Sequence, residues 1–388
     1  MNEATRRFIE THAADDVHRL ALSGNKDPDV DMAFALTQIE GRQRAKAKLP
    51  LWAANPDILW PSHLALEQCS SEQTAHYKAR IAGNGQRFVD LTGGFGVDFA
   101  AIAPQFIESI YVERQESLCE LTSHNFKTLC LHDVETVCGD STEFLQTMPS
   151  ADLIFIDPAR RDRHGTRTYA ISDYTPDVLP LKETLLRKAP RILLKFSPML
   201  DWRKAVKDLG ENHVSEVHIV SVNNECKELL IIMERIAHPM RLVCVNDAES
   251  EAFSSEELHI QTSSYTATGQ YLYEPNASLM KAGCFGALAR RYNVKPVSPD
   301  SHLFLSEIAI PRFPGRSFYI IKTTTMNKQD LFTTLSGLTQ ANISVRHFPL
   351  TADKLRRRLR LNDGGDTFIF ATTQTNGKHI LLFCKKQR

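Results

Sequence analysis

From residue 87 onward, short apolar runs alternate with helical stretches, and an acidic residue lies near the end of each of the first four runs. These runs are FVDLT (88–92), SIYVER (109–114), VETVCGD (134–140) and DLIFIDP (152–158); RILLKFSP (191–198) is the fifth. Apolar runs of this length, each followed by a helix, predict a parallel sheet covered on both faces. The rhythm then changes. EVHIVSV (216–222) and ELLIIMER (228–235) are separated only by NNECK, which predicts an antiparallel hairpin. The fold class is therefore α/β, with five β-α units and a terminal hairpin.

The first turn of this series is Asp90-Leu91-Thr92-Gly93-Gly94-Phe95-Gly96, placed where a strand ends and a helix begins. Glycines there remove the Cβ atoms that would keep a ligand from the backbone, and the helix start offers free N–H groups. A dinucleotide-binding GxGxxG counted from Gly94 would need glycine at 99, and position 99 is Phe. The same turn without a ligand remains open on this motif alone. The neighbouring acids narrow it. Glu113 can accept hydrogen bonds from both hydroxyls of a ribose, and Asp140 can reach an adenine amino group. Asp157-Pro158 closes the fourth run. In an open parallel sheet, ligands bind outside the carboxyl ends of the strands, where all four acids fall.

The composition excludes several classes. The chain has 388 residues, 42% hydrophobic and 24% charged, which suits two or three globular domains. No apolar run approaches the roughly 18–20 residues needed to span a bilayer. Eight scattered cysteines with no CxxC pair, and no HExxH, point away from a disulfide scaffold or a zinc site. Nothing points to a metal or a protein partner. The opening MNEATRRFIETHAADD lacks an apolar core, so no signal peptide is expected, and a reducing cytoplasm is the expected compartment.

Net charge is zero, but unevenly distributed. Residues 311–388 hold 14 Lys+Arg and 4 Asp+Glu, a net of +10 that the rest of the chain cancels. A basic C-terminal segment on an acidic body suits polyanion docking, and equally a solvated basic face. Within it, Arg356, Arg357, Arg358 and Arg360 follow Lys354 on a predicted helix whose buried stripe is Leu355 and Leu359, closed by Gly364-Gly365. TFIFATT and HILLFC predict strands joined across Asn376-Gly377.

Elsewhere, residues 1–80 read as helical pieces broken by Pro50, Pro56 and Pro61. Ser70, with Gln73 closing a capping box, predicts a helix over about 71–82. Strands are expected at 241–247 and 257–263, and one helix from Asn276 through Tyr292.

On these residues the chain resembles the class I S-adenosylmethionine-dependent methyltransferases over roughly 70–236. More narrowly, it resembles a bacterial family of them with a C-terminal THUMP-like domain preceded by a ferredoxin-like segment. The matching pieces include GRQRAKAKLP (41–50), EQCSSEQTAHYKA (67–79), VDLTGGFGVD (89–98), DPARR (157–161), KFSPMLD (195–201), EPNASLMKAG (274–283) and the last seventy residues. The resemblance implies a Rossmann-like seven-stranded sheet and four segments. These are an N-terminal helical region (1–80), a methyltransferase domain (81–238), a ferredoxin-like connecting segment (239–315) and a THUMP-like domain (316–388).

It also implies S-adenosyl-L-methionine as cofactor, held by Asp90, Thr92, Gly93, Gly94, Phe95, Gly96, Glu113, Asp140 and Asp157. Asp157 and Pro158 would face the transferred methyl. The partner would be RNA, tRNA in particular; from their own chemistry the candidate contacts are Arg160, Arg161, Arg163, Lys195, Arg356, Arg357 and Arg358. Thr92 departs from the pattern, standing where the first glycine of DxGxGxG is usual. Asp157-Pro158-Ala159-Arg160 lacks the second proline and aromatic of amine-methylating relatives, and Lys195-Phe196-Ser197-Pro198 lacks a pyrimidine-attacking cysteine. Tyr169 or Tyr174 could supply a stacking surface or be ordinary loop tyrosines. Arg160, Arg161, Arg163 and Arg167 could grip phosphates or pair with Asp173 and Asp177. His164 is a candidate base or plain surface. A catalytically degenerate RNA-binding protein, and a methyltransferase for a protein or small molecule, remain the alternatives.

Overall fold

In a computed structural model, the structure describes residues 1–24, 27–160, 170–262 and 264–387. The chain divides into two compact units, 1–215 with 230–238 and 216–229 with 239–388. Among the described residues no helix is long and apolar enough to cross a membrane.

The first sheet has nine strands: β1 (Gly85–Asp90), β2 (Phe106–Glu113), β3 (Val134–Cys138), β4 (Leu153–Ile156), β5 (Arg191–Phe196), β6 (Val214–Val222), β7 (Glu225–Glu234), β8 (Arg241–Asn246) and β9 (Glu249–Ser254). Their order is β9-β8-β6-β7-β5-β4-β1-β2-β3. The five expected strands pair in parallel, with Asp90 opposite both Tyr111 and Phe155. β4 is buried along its whole length, as a strand covered on both faces requires. The β6–β7 hairpin turns on Asn223 and Asn224, both with positive φ.

The expected strand at 241–247 is β8, and it runs parallel to β6. The one expected at 257–263 is not a strand. The antiparallel partner of β8 is instead β9, at 249–254, and Glu257–His259 forms a short helical turn. The cause is local. The Ser254 N–H donates to Glu257 Oε2 at 2.9 Å, and the Glu257 N–H donates to Ser254 Oγ at 3.3 Å, a capping-box exchange that bends the chain.

The second sheet is built from β10 (Tyr271–Pro275), β11 (Lys295–Pro296), β12 (Phe304–Ser306), β13 (Gly315–Thr325), β14 (Asn342–Val345), β15 (Thr367–Thr373) and β16 (His379–Lys386), in the order β11-β12-β10-β13-β16-β15-β14. One face packs Leu272, Phe318, Phe370 and Leu382; the other packs Leu355, Leu359, Ile369 and Phe383. The expected helix from Asn276 is two, Ala277–Ala282 and Phe285–Tyr292, parted at Gly283 in the left-handed region. The arginine-rich helix is Ala352–Leu359, stopped by left-handed Arg360 before the two glycines.

In the N-terminal region the expected helix spans Glu72–Ala82, but Ser71 caps it, its Oγ accepting from the Thr74 N–H. Ser70 is left for another partner. Glu72 Oε1 accepts the N–H groups of Leu51 (2.7 Å) and Trp52 (3.1 Å), satisfying the start of the helix Pro50–Ala54. Trp52 and Trp60 then pack on Phe95 with ring centroids 5.2 and 5.9 Å away. Burying each of these rings stabilises by about 1.5–3 kcal/mol. Asn125 pairs with both backbone groups of Leu59 at 2.9 Å, fixing this segment to the helix Glu116–Thr128.

Candidate active site at the carboxyl ends of β1, β2 and β4

The glycine turn is held from three sides. The Leu91 N–H donates to Phe155 O at 3.0 Å, the Gly93 N–H to Val112 O at 2.9 Å, and Tyr111 Oη to Gly94 O. A Cβ on Gly93 would fall 2.1 Å from the Tyr111 ring, and one on Gly96 would fall 2.8 Å from Phe126. These two glycines admit aromatic side chains from behind. Gly94 is different. It has φ +55°, and a Cβ there would meet nothing nearer than Thr92 O at 3.8 Å, so its outer face is open.

Around that opening stand carboxylates. Glu113 Oε2 accepts the Gly94 N–H at 3.0 Å, and Oε1 accepts the Gln115 N–H at 2.8 Å. Each oxygen keeps a second lone pair for an incoming hydroxyl. Asp90 is 1% exposed, and its Oδ1 accepts the Thr92 N–H at 2.9 Å. Burial pushes its pKa well above the ordinary value against that hydrogen bond, and the charges of Asp98, Asp157 and Glu113 push it the same way. The open face of Gly94 is bordered by the carboxyl groups of Glu113 and Asp90 and suits a ligand that offers hydroxyl or ammonium donors.

Thr92 has a task the usual glycine could not perform. Its Oγ1 accepts the Asp157 N–H at 2.6 Å, tying the end of β4 to the turn after β1. Asp157 Oδ2 lies 2.5 Å from Lys195 Nζ. Asp140 caps the helix Ser141–Thr147, its Oδ1 accepting from Thr142 and Glu143; these bonds, the Thr142 hydroxyl foremost, lower its pKa. Its other oxygen has no partner among the described residues.

Two residues that the sequence did not single out, Lys78 and Asp98, complete the arrangement, together with Ser70 in a role other than the expected cap. Asp98 Oδ1 lies 3.1 Å from Lys78 Nζ, and Oδ2 accepts from Ser70 Oγ at 2.7 Å and lies 3.4 Å from Lys195 Nζ. Burial raises the Asp98 pKa, but Lys78, Lys195 and Ser70 together outweigh it and hold it below the ordinary value. One signal was present. Thr74, Ala75, Lys78 and Ala82 are the buried stripe of their helix, and a lysine does not belong in such a stripe without a partner.

Other expected residues fall elsewhere. Lys195, expected at the substrate, is 9% exposed and committed to two carboxylates. Arg160 is exposed, and Ala159–Arg160 bridges to Tyr174–Thr175. Tyr174 is buried edge-on to Phe196 at 5.2 Å, so it offers no stacking surface. Asp177 caps the helix Val178–Lys188, and Asp173 accepts the Ala170 N–H. Arg161, Arg163, His164, Arg167 and Tyr169 lie outside the described residues. Arg356 is paired with Asp353 and Asp363, while Arg357 and Arg358 are exposed.

Comparison with known proteins agrees with this architecture. The family model of a ferredoxin-like domain matches residues 271–314, and that of a THUMP-like domain matches 315–386. A solved structure from Porphyromonas gingivalis W83, described as a candidate methyltransferase, is 35% identical over 99% of this chain and 98% of its own, with a TM-score of 0.90. A candidate methyltransferase of Streptococcus mutans in complex with SAH (13% identity, 42% of this chain, 96% of that one, TM-score 0.32) also matches. So does an rRNA methylase of Streptococcus thermophilus (14%, 42%, 95%, 0.31). A search of curated proteins found no match. The strand order 3-2-1-4-5-7-6 within the first sheet defines a class I methyltransferase fold. The chain belongs to the family of such S-adenosylmethionine-dependent methyltransferases that carry ferredoxin-like and THUMP-like domains at the C-terminus.

Proposed function

We propose that this protein transfers a methyl group from S-adenosyl-L-methionine to RNA, tRNA in particular, in the cytoplasm. The observation that carries the reading is the open face of Gly94 between Glu113 and the buried Asp90. The chemistry of this hollow fits the cofactor. Asp90, whose pKa burial and the neighbouring carboxylates raise, would pair with the amino-acid ammonium, and Glu113 would take the ribose hydroxyls. The free oxygen of Asp140 would reach the adenine amino group. Gly94 and the Phe95–Gly96 backbone would lie under the ligand, and Thr92 would hold Asp157 at its edge.

When bound, the cofactor supplies an activated methyl; the protein needs chiefly to align an acceptor with it. Asp157 and Pro158 would line that acceptor side. Arg160, Arg161 and Arg163 would meet its phosphates, and the exposed Arg357 and Arg358 of the THUMP-like domain would supply docking charge, with Arg356 beside them. In this reading residues 81–238 form the transfer domain and 316–388 the docking module. Eight free thiols suit a reducing compartment.

Isothermal titration with S-adenosylmethionine tests the pocket; a folded protein that binds none defeats the proposal. Mass spectrometry of modified nucleosides in tRNA and rRNA, with and without the protein, identifies the product. Unchanged activity after deletion of residues 316–388 would favour a protein or small-molecule acceptor.

A further inference from the structure

Ser70, Lys78, Asp98, Lys195 and Asp157 form one line of contacts from the interior to the mouth of the site. Lys78 Nζ lies 3.1 Å from Asp98 Oδ1 and donates to Ser70 Oγ at 3.1 Å. Asp98 Oδ2 takes the Ser70 hydroxyl at 2.7 Å and stands 3.4 Å from Lys195 Nζ, which reaches Asp157 Oδ2 at 2.5 Å. Cations and carboxylates alternate. Side-chain exposure rises along the line from 0% at Lys78, through 9% at Asp98 and 11% at Lys195, to 34% at Asp157. Only the last member meets the opening.

Such a line is expensive to build, because each buried charge loses its hydration. An apolar residue at 78 would have packed into the helix stripe without that cost. What the line achieves is aim. Lys195 grows from the end of β5, and a lone ammonium there could swing among the carboxylates around the hollow. Asp98 holds it from the inner side, and Lys78 and Ser70 hold Asp98. Asp157 is then fixed at two points, by Lys195 on Oδ2 and by Thr92 Oγ1 on its own N–H. Among the described residues its Oδ1 has no partner, which leaves that oxygen to receive a hydrogen bond from outside.

We propose that Lys78, Asp98 and Lys195 are positioning residues for methyl transfer, aiming Asp157 Oδ1 at an N–H or O–H of the methyl acceptor. The inference rests on the methyltransferase reading above and deepens it, restricting the acceptor to an atom that bears a proton: as that atom takes the methyl, the S–CH3 bond would break, S-adenosylhomocysteine would leave, and the displaced proton would pass by way of Asp157 Oδ1 to solvent.

The test compares Asp98→Asn with the double variant Lys78→Met/Asp98→Asn in the full-length protein. Turnover is read as methyl transfer from S-adenosylmethionine to bulk RNA from a strain lacking the protein. Thermal midpoint, cofactor affinity by titration and a crystal structure are measured on the same samples. Asp98→Asn takes away the carboxylate 3.1 Å from the buried Lys78 ammonium, so it lowers the midpoint; the double variant removes both charges and recovers it. The expected result is that kcat falls about 100-fold in both variants, as a roughly 1 Å misplacement does, while KM and cofactor affinity hold. The crystal structure of the double variant then shows Lys195 turned from Asp157. If turnover returns together with the thermal midpoint, or if the Lys195–Asp157 pair stays in place, the positioning role is overturned. Loss of the methyltransferase reading looks different: the wild-type protein then binds no cofactor, and the position of Lys195 in the crystal still decides the aiming role.

Discussion

Two charged regions of this chain are built in opposite ways. Beside the glycine turn, Lys78, Asp98 and Lys195 are buried, and Asp98 pairs with both lysines. On the helix Ala352–Leu359, only Leu355 and Leu359 are buried, and Arg357 and Arg358 stand in solvent. The buried set has few permitted arrangements, because every charge must have its partner. The exposed set has many, since water solvates each guanidinium wherever it points. Fixed charge suits alignment of small groups; exposed charge suits a polyanion whose phosphates need only lie close.

Four predictions can break or sharpen this contrast. The largest effect is expected at Asp98. Asp98→Asn should cost about 3–5 kcal/mol in urea unfolding, because it takes the carboxylate away from a buried ammonium. Raising salt should leave that loss in place; a loss that salt removes would mean the cluster is solvated. Since the folded-state pKa of Asp98 lies below its unfolded value, its contribution is present above the unfolded value and disappears as pH falls through the folded one.

Next comes Gly94→Asp. Bulk and charge at the open face should weaken S-adenosylmethionine binding by about 3 kcal/mol or more, roughly 100-fold, in a titration. Normal affinity would place the ligand elsewhere. The third prediction concerns Asp90, where the sign is reversed. Its folded pKa is raised, so the folded state holds a proton that the unfolded state has released, and stability of the free protein falls as pH rises from the unfolded value toward the folded one. Asp90→Asn should flatten this fall and raise the thermal midpoint near neutral pH by about 2–4 °C. It should also weaken cofactor binding. A lower midpoint would show that the buried carboxylate is stabilised as it stands. The smallest effect is expected for Arg357→Ala/Arg358→Ala. RNA affinity should fall several-fold, and the slope of log K against log salt should lessen by about 0.7–0.9 per lost contact. Protein stability should not change; if it does, these arginines belong with the buried set.

Much of this was legible in the order of residues. The strands before residue 235 were, because buried parallel strands must be short, apolar and separated by helices, a pattern of composition along the chain. The acids at 90, 113 and 157 were, because strand ends place them in one row. The glycines were legible as a turn, but their separate tasks were not. Gly93 and Gly96 make room for Tyr111 and Phe126, which lie 18 and 30 residues further along, and only Gly94 faces the opening. Ser70 and Ser71 are equal as caps on paper. The backbone chose Ser71, which freed Ser70 for Asp98. β9 was hidden because its GluSerGluAlaPheSer buries only two alternate positions in part or whole, as an edge strand can.

By itself the sequence determined the α/β rhythm, the hairpin that ends it, and the rim of carboxylates around a glycine turn. These follow from local periodicity and from the rule that strand ends share one edge. The tertiary structure alone decided which charges touch. Lys78, Asp98, Lys195 and Asp157 come from a helix of the N-terminal region, a helix after the glycine turn, and the ends of β5 and β4. Their attraction depends on distance in space and on the exclusion of water, and neither is a property of neighbours along the chain.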